Sequence, residues 1–189
     1  MSILHDLSED INFYHRIIFQ EKKPTWFSYA CILFSSKGFF VLQIYRFSRN
    51  LHLKSLSSCL CKQCIYNILI LLCLYLMIIV AKCDISPDSC IEPGVFISNR
   101  GYIILGASRI GSGTIINECV TIGISVGNAL SRKGRPTIGK NVWIGPRCLV
   151  YGNISIADGV TVLSDSIVNK NIPHRAFVQG NPARIIKNN

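Results

Sequence analysis

Two polar side chains in the C-terminal half of the chain have types and a spacing that suit acid–base chemistry on a hydroxyl group. Glu118 lies two residues after Ile116, and Asn99 lies two residues after Ile97. The isoleucines belong to a six-residue repeat, one coil apart, so both polar side chains are expected to point outward about 4.8 Å apart. A carboxylate can accept a proton there, and an amide can donate to a developing oxyanion. An ordinary polar surface pair fits the same spacing.

A second candidate group is the densest cluster of positive charges in the chain. It contains Arg132, Lys133 and Arg135, with Lys140 nearby. Guanidinium and ammonium groups in such a cluster suit a ligand that carries phosphate groups. A solvated basic loop is the alternative. Cys119 is a weaker candidate, as an acyl-carrying nucleophile, because no base adjoins it in the sequence.

The elements that must position these residues are short strands, because aliphatic residues recur every six positions. The repeat positions are Ile85, Ile91, Ile97, Ile103, Ile110, Ile116, Ile122, Ile138, Ile144, Val150, Ile156, Val162 and Val168. Gly, Asn, Asp and Pro are frequent between them and suit tight corners. In a parallel β-helix each hexad supplies one strand and one turn, and three hexads close one coil. We predict a mainly β fold over 83–189, with an excursion loop at about 123–137 and a cap at about 171–189.

The first 82 residues predict an α-helical segment. After Gly38, apolar residues such as Val41, Ile44 and Tyr45 recur at helical spacing. The stretch 65–81 carries no charge and has Lys62 and Lys82 on its flanks, and it lies at the short edge of the roughly 17–25 residues that cross a bilayer. A helix that is apolar all round must be buried. An oligomer core and peripheral membrane contact are the two interpretations.

The composition excludes several classes of protein. The chain has 189 residues, of which 49% are hydrophobic and 16% charged, and its net charge is +10. Such a chain is not intrinsically disordered, and its low charge content indicates surface buried against other subunits or a bilayer. The positive charge is spread along the chain, so no nucleic-acid partner is expected.

The nine cysteines favour free thiols. Their number is odd, their spacing is irregular, and the polar N-terminus does not resemble a secretory signal, so a reducing cytoplasm is expected. Three of them fall within 59–64, but a structural zinc site needs four ligands in spaced pairs. No metal is expected.

Four segments together resemble the hexapeptide-repeat acyltransferases, in the serine O-acetyltransferase-like branch. They are the helical segment 36–49, Asp84-Ile85-Ser86-Pro87, Val120-Thr121-Ile122-Gly123 and Gly180-Asn181-Pro182-Ala183-Arg184. The resemblance covers nearly the whole chain. It implies a left-handed parallel β-helix, a homotrimer, acetyl-CoA as the acyl donor, and active sites between neighbouring subunits.

The chain departs from this branch at the residues that carry its chemistry. Ser98 and Asn99 stand where the branch has an Asp-His pair, and Arg135 stands where a second histidine precedes a proline. Related sugar and xenobiotic acetyltransferases have a histidine at the position of Glu118. The resemblance thereby makes Glu118 the candidate base and Asn99 the candidate amide donor. The histidines present are His5, His15, His52 and His174.

With this resemblance, the basic cluster is interpreted as part of a donor site. Phosphate groups of CoA are expected on Arg132, Lys133, Arg135, Lys140, Arg147 and Arg184. Small residues at Gly123, Gly127 and Gly145 would let the pantetheine arm lie along the coil edges.

Three functions remain open at this point. The first is acetyl-CoA-dependent O-acetylation of a sugar hydroxyl in a surface polysaccharide or its precursor, with the protein in the cytoplasm or at the inner face of the plasma membrane. The second is O-acetylation of L-serine for cysteine synthesis. The third is a trimeric scaffold that keeps the fold without the chemistry.

Overall fold

The computed structural model describes residues 3–20, 25–124 and 134–188. Four helices precede the strands: α1 (Ile3–Phe19), α2 (Trp26–Ser35), α3 (Lys37–Leu56) and α4 (Leu60–Ala81). The strands are β1 (Cys83–Ile85), β2 (Cys90–Ile91), β3 (Phe96–Ile97), β4 (Ile103–Leu105), β5 (Arg109–Ile110), β6 (Ile115–Ile116), β7 (Thr121–Gly123), β8 (Thr137–Ile138), β9 (Trp143–Ile144), β10 (Leu149–Tyr151), β11 (Ser155–Ile156), β12 (Thr161–Val162), β13 (Ile167–Val168), β14 (Ala176–Gly180) and β15 (Ala183–Asn188).

The strands form the three faces of a parallel β-helix. Sheet A has the order β1-β4-β7-β10-β13, sheet B has β11-β8-β5-β2, and sheet C has β15-β14-β12-β9-β6-β3. Each coil passes from A to B to C, so coil 1 comprises β1–β3, coil 2 comprises β4–β6 and coil 3 comprises β7–β9. We name the three edges of this prism the A–B, B–C and C–A corners. The predicted fold class, a β-helix of hexapeptide repeats behind an α-helical segment, is confirmed.

The repeat positions point inward and are stacked as the hexads predict, except in coil 2. Ile85 pairs with Leu105, and Leu105 pairs with Ile122, whereas Ile103 pairs with Cys83. Both Ile103 and Leu105 are buried. Leu105, rather than Ile103, therefore occupies the repeat position in β4. The reason is that the segment between β3 and β4 is longer than in a regular repeat, and the segment between β4 and β5 is shorter.

The corners require unusual backbone conformations at equivalent places in successive coils. At the B–C corner, Gly94 and Gly113 have φ angles of +75° and +74°, and Asn141 follows them with +53°. This left-handed region favours glycine, and asparagine tolerates it better than most other residues. The Gly and Asn residues between the hexads are thus explained by the turns they make.

Two buried tyrosines satisfy the backbone of coil 1, which has no preceding coil to pair with. The Tyr14 hydroxyl donates to the Ile97 carbonyl oxygen (3.1 Å) and accepts from the Ile97 N–H (2.9 Å). The Tyr45 hydroxyl donates to the Ser89 carbonyl oxygen (2.6 Å) and accepts from the Ile91 N–H (3.2 Å). Each phenol takes the place of a neighbouring strand, so the first edge of the β-helix is protected.

A buried ion pair fixes the helices to the same coil. Asp10 is fully buried, and its carboxylate accepts from Arg46 Nε (2.5 Å), Arg46 Nη2 (2.8 Å) and the Gly94 N–H (2.8 Å). The Arg46 guanidinium also donates to the carbonyl oxygens of Ile91 and Glu92. One charged pair therefore joins α1, α3 and coil 1.

Burial of the two tyrosines predicts a specific sensitivity to alkaline pH. Burial raises the pKa of Tyr14 and of Tyr45 above the ordinary value. The folded protein thus keeps both protons above about pH 10, where unfolded tyrosines lose theirs, so stability is intact below that pH and falls above it. The expected slope is about 1.4 kcal/mol per pH unit for each tyrosine.

This expectation is tested by urea unfolding between pH 8 and pH 11. A Tyr14→Phe/Tyr45→Phe variant is expected to be less stable at pH 8, by about 1–3 kcal/mol per site, because strand groups lose their partners. Its stability should fall less steeply above pH 10. Tyr75→Phe, at an exposed position of α4, is the matched control. Equal alkaline slopes for the wild type and the double variant would contradict the assignment.

Helix α4 includes the apolar stretch 65–81 and begins earlier, at Leu60. It packs on α3, and its residues Ile70, Cys73, Met77 and Ala81 are buried. By length and composition, α4 is able to cross a membrane. At the other end of the chain, β14 and β15 form an antiparallel hairpin on sheet C.

Candidate functional site

Glu118 lies at the C–A corner after β6, in a small polar cluster. Its Oε2 accepts from the Ser98 hydroxyl (3.1 Å), and Arg100 Nη1 lies 3.4 Å from its Oε1. Its own backbone N–H, the Ser98 hydroxyl and the Arg100 charge hold the pKa of the carboxyl below its ordinary value. Glu118 is therefore an anion at neutral pH, and the raised pKa typical of a strong general base is not found.

The predicted register of this site is correct, but the expected pair is not formed. Ile97 pairs with Ile116, as the repeat requires. The side chain of Asn99 turns away to the start of α3, where its Oδ1 accepts from the Ser36 hydroxyl and the Gly38 N–H, both at 2.9 Å. The side chain beside Glu118 is thus Ser98 rather than Asn99. Docking of α3, which the repeat does not reveal, is the cause.

Gly38 shows how closely α3 approaches the β-helix at this point. A Cβ on Gly38 would overlap the carbonyl oxygen of Ile97 and lie close to Asn99. The helix therefore begins directly on the backbone of β3. The Asn99 side chain therefore positions the start of α3 instead of pairing with Glu118.

The predicted phosphate-binding cations of coil 3 lie at three different corners. Arg135 precedes β8 at the A–B corner, Lys140 follows β8 at the B–C corner, and Arg147 follows β9 at the C–A corner. Arg147 is paired with Asp165 through two hydrogen bonds of 2.6 and 2.8 Å. Arg184 is exposed on β15. One subunit thus does not bring these four cations to one ligand.

The remaining residues predicted to contact CoA divide into three groups. Gly127, Arg132 and Lys133 lie outside the described residues. Among the described residues, Gly123 has open space where a side chain would begin. Gly145 does not: a Cβ would meet the backbone of the next coil, so this glycine is required for packing of the coils.

A second polar cluster, which the sequence analysis did not predict, lies at the A–B corner. His52 Nε2 is 2.9 Å from Asp88 Oδ1, and Arg135 Nη2 is 3.3 Å from Asp88 Oδ2. We name these three residues the Asp88 cluster. His52 and Asp88 are each about a quarter exposed. Arg135 Nε is buried without a hydrogen-bond partner among the described residues.

The cluster has a definite chemical capacity. When the Nε2–H of a neutral imidazole donates to a carboxylate, Nδ1 carries the lone pair that accepts a proton. An imidazole oriented by a carboxylate, beside a fixed guanidinium, is an arrangement that serves general-base catalysis and the stabilisation of an anion. Arg135 occupies the position at which the resemblance implies a histidine.

One pattern in the sequence could have predicted that His52 contacts this corner. Tyr45, Arg49 and His52 follow one another at intervals of four and three residues, so they lie on one face of α3. Arg49 Nη1 donates to the carbonyl oxygens of Ser89 and Pro87, next to Asp88. The face that meets the A–B corner of coil 1 therefore carries His52 as well.

A cavity of about 670 Å³ between the helices and sheet B is lined by no residue of either cluster. Its charged lining includes Arg46, Arg109 and Glu92. Arg46 is held by Asp10, and Arg109 is paired with Glu92. Because these charges are already paired within the fold, we attach no role in catalysis to this cavity.

Comparisons with known proteins agree with the fold and the repeat. The family model of the bacterial transferase hexapeptide (six repeats) matches residues 135–170. Serine acetyltransferase from Buchnera aphidicola of Schizaphis graminum is 32% identical over 195 residues, covering 99% of this chain and 66% of the relative. Serine acetyltransferase 2 from Arabidopsis thaliana is 29% identical over 190 residues, covering 98% and 51%. The chain thus spans about half of the Arabidopsis relative and 66% of the Buchnera relative.

Solved structures give the same result. Soybean serine acetyltransferase complexed with serine superposes with a TM-score of 0.81 at 27% identity, covering 98% of this chain and 70% of that one. The Neisseria gonorrhoeae serine acetyltransferase gives 0.82 at 22% identity, covering 98% and 66%. The fold and the repeats are those of the hexapeptide-repeat family. Within that family, the chain is similar to the serine acetyltransferase-like branch over nearly its whole length.

Proposed function

We propose that the protein is an acetyl-CoA-dependent O-acetyltransferase. The observation that carries the proposal is the similarity along the whole chain: 99% of it aligns with a serine acetyltransferase at 32% identity, across the helical segment and the β-helix alike. Acetyl transfer to a hydroxyl needs a base for its proton and donors for the oxyanion that forms at the thioester carbon. The chain offers residues for both tasks.

The active assembly in this proposal is a homotrimer with CoA bound between subunits. The positions of Arg135, Lys140 and Arg147 at three corners support it. Around a threefold axis, one corner of a subunit faces a different corner of its neighbour, so cations that are apart within one chain come together across an interface. CoA phosphates need such a group of cations.

The candidate base in this proposal is His52. Its imidazole is oriented by Asp88 at 2.9 Å, in the cluster that also contains Arg135. Glu118 is the second candidate, since its carboxylate is ionised but is a weak base and already holds Ser98 and Arg100. Arg135 would then stabilise the oxyanion or a CoA phosphate.

L-serine is the first acceptor that the proposal names, because the similar proteins are serine acetyltransferases. A sugar hydroxyl in a surface polysaccharide or its precursor is the second. One observation favours it: Ser98-Asn99 and Arg135 replace the histidine-bearing positions of the serine-specific branch. Different side chains at these positions favour a different acceptor.

The first test is binding of acetyl-CoA, measured by calorimetry on the purified protein. We expect micromolar binding that an Arg132→Ala/Arg135→Ala variant weakens at least tenfold, because two phosphate-binding cations are removed. Lys170→Ala removes one positive charge from an exposed position at the A–B corner and is the matched control. Circular dichroism checks that each variant is folded.

The second test is acceptor choice, measured by release of free CoA with L-serine and with a panel of sugars. Turnover with serine supports the first acceptor, and turnover with a sugar but not serine supports the second. Absence of acetyl-CoA binding to the folded trimer would contradict the proposal and favour the scaffold.

A further inference from the structure

The α3–α4 hairpin has an apolar face on the side away from the β-helix. Helix α4 packs on α3, and its buried residues lie on one side. The opposite side is a stripe of four large apolar residues, each more than half exposed: Ile68, Leu72, Tyr75 and Ile79. Their spacing of four, three and four residues places them on one face of the helix. Helices of soluble proteins carry polar residues on such a face.

The apolar face continues from α4 onto α3. A groove of about 360 Å³ runs between the two helices, with Ile44 and Phe47 on the α3 side and Leu69, Leu72 and Leu76 on the α4 side. Phe47 is half exposed. The exposed apolar residues therefore form one continuous surface with a cleft, rather than a scatter of isolated residues.

Positive charges frame this face, and negative charges are absent from the segment. Between Glu21 and Asp84 the sequence contains no aspartate or glutamate. The antiparallel hairpin carries Lys37 and Lys82 at one end and Lys54 and Lys62 at the other, and all four are exposed, with the Lys82 ammonium also donating to the Tyr102 hydroxyl. Lysines at the edges of an apolar surface place their stems along it and their ammonium groups among anionic headgroups.

The packing of α3 decides how the hairpin meets a bilayer. The side of α3 away from this face holds Arg46, which is buried against Asp10 and coil 1. If α4 crossed the bilayer, α3 and this ion pair would enter the hydrocarbon as well, at a high cost. The hairpin must therefore lie in the plane of the interface.

We propose that the α3–α4 hairpin is a docking surface for an anionic lipid bilayer, with the stripe Ile68, Leu72, Tyr75 and Ile79 in the acyl region. The charge pattern favours lipid over a second copy of the chain. A symmetric contact between two hairpins would bring lysines toward lysines, whereas anionic headgroups supply the opposite charge. The inference is independent of acetyl transfer, because docking uses none of the residues of either polar cluster.

The test is flotation of the full chain with lipid vesicles in a density gradient. We expect binding to phosphatidylcholine vesicles that contain 30% phosphatidylglycerol, and at least fivefold less binding to pure phosphatidylcholine. Raising the salt from 0.1 to 0.5 M is expected to lower binding at least threefold, because salt screens the lysine–headgroup attraction. An Ile68→Ser/Leu72→Ser/Ile79→Ser variant is expected to lose binding at least tenfold.

Matched variants separate the outcomes. Ile185→Ser/Ile186→Ser removes two exposed apolar residues from β15 and is expected to bind vesicles like the wild type. Failure of the wild type to float overturns the proposal. So does sedimentation showing that the wild type self-associates through this face, with the triple variant reduced to trimers, since a second copy would then occupy the surface.

Discussion

Replacing His52 by glutamine is expected to lower kcat/KM for acetyl transfer at least 100-fold. General-base catalysis contributes about 10²–10⁴ in rate, and glutamine keeps a hydrogen-bonding group beside Asp88 without the basic nitrogen. Steady-state kinetics with the acceptor that supports turnover in the CoA-release assay checks this expectation. The loss should fall on kcat, while the Kd for acetyl-CoA stays unchanged. A purely structural role would not give that pattern.

Two further variants show whether the base has been assigned correctly. Glu118→Gln is expected to lower kcat/KM less than tenfold, because the carboxylate holds Ser98 and Arg100 and is a weak base. Asp88→Asn is expected to have an intermediate effect, because Asp88 orients His52 and Arg135 without touching the reacting atoms. If Glu118→Gln abolishes turnover and His52→Gln does not, the base is Glu118 and our assignment is wrong.

Replacing Asp10 by alanine is expected to lower the free energy of unfolding by about 3–5 kcal/mol, because it leaves the buried Arg46 guanidinium with only the more distant Asp6 carboxylate, at 3.9 Å, as a counter-charge. The substitution also removes the acceptor for the Gly94 N–H. Since domains are stable by only about 5–15 kcal/mol, the variant is expected to be partly unfolded near 37 °C. Urea unfolding followed by circular dichroism measures the loss.

The matched control for this variant is Asp165→Ala. Asp165 also pairs with an arginine through two hydrogen bonds, but that pair is exposed. Its removal is expected to leave the unfolding midpoint within experimental error, because exposed ion pairs contribute little. Similar losses for the two variants would show that burial does not govern the effect at Asp10.

The repeats made most of the β-helix predictable, because a period of six leaves only one way to stack the aliphatic residues inside. The exception is the corner between Ile97 and Leu105. Ile103 and Leu105 are both aliphatic and both point inward, so periodicity alone did not decide which of them occupies the repeat position. Pairing with Ile85 and Ile122 selects Leu105.

The candidate site was less predictable, because the contacts that shape it join distant parts of the chain. Asn99 is drawn to Ser36 and Gly38 on α3, and Asp88 meets His52 from the same helix. The six-residue period describes only the β-helix and does not predict the contacts that a packed helix makes with it. Helical periodicity indicated which residues of α3 share a face, but not the corner of coil 1 that this face meets.

The tyrosine hydroxyls against coil 1 have a consequence for the number of coils that this chain can have. Tyr14 and Tyr45 end the ladder of strands at its first coil, and the antiparallel hairpin β14–β15 ends it at the last. Hexapeptides can therefore be gained or lost only between these two ends. A fragment that begins after Lys82 would lack both tyrosines, so the backbone of its first coil would be unpaired. Such fragments are expected to stack end to end into filaments.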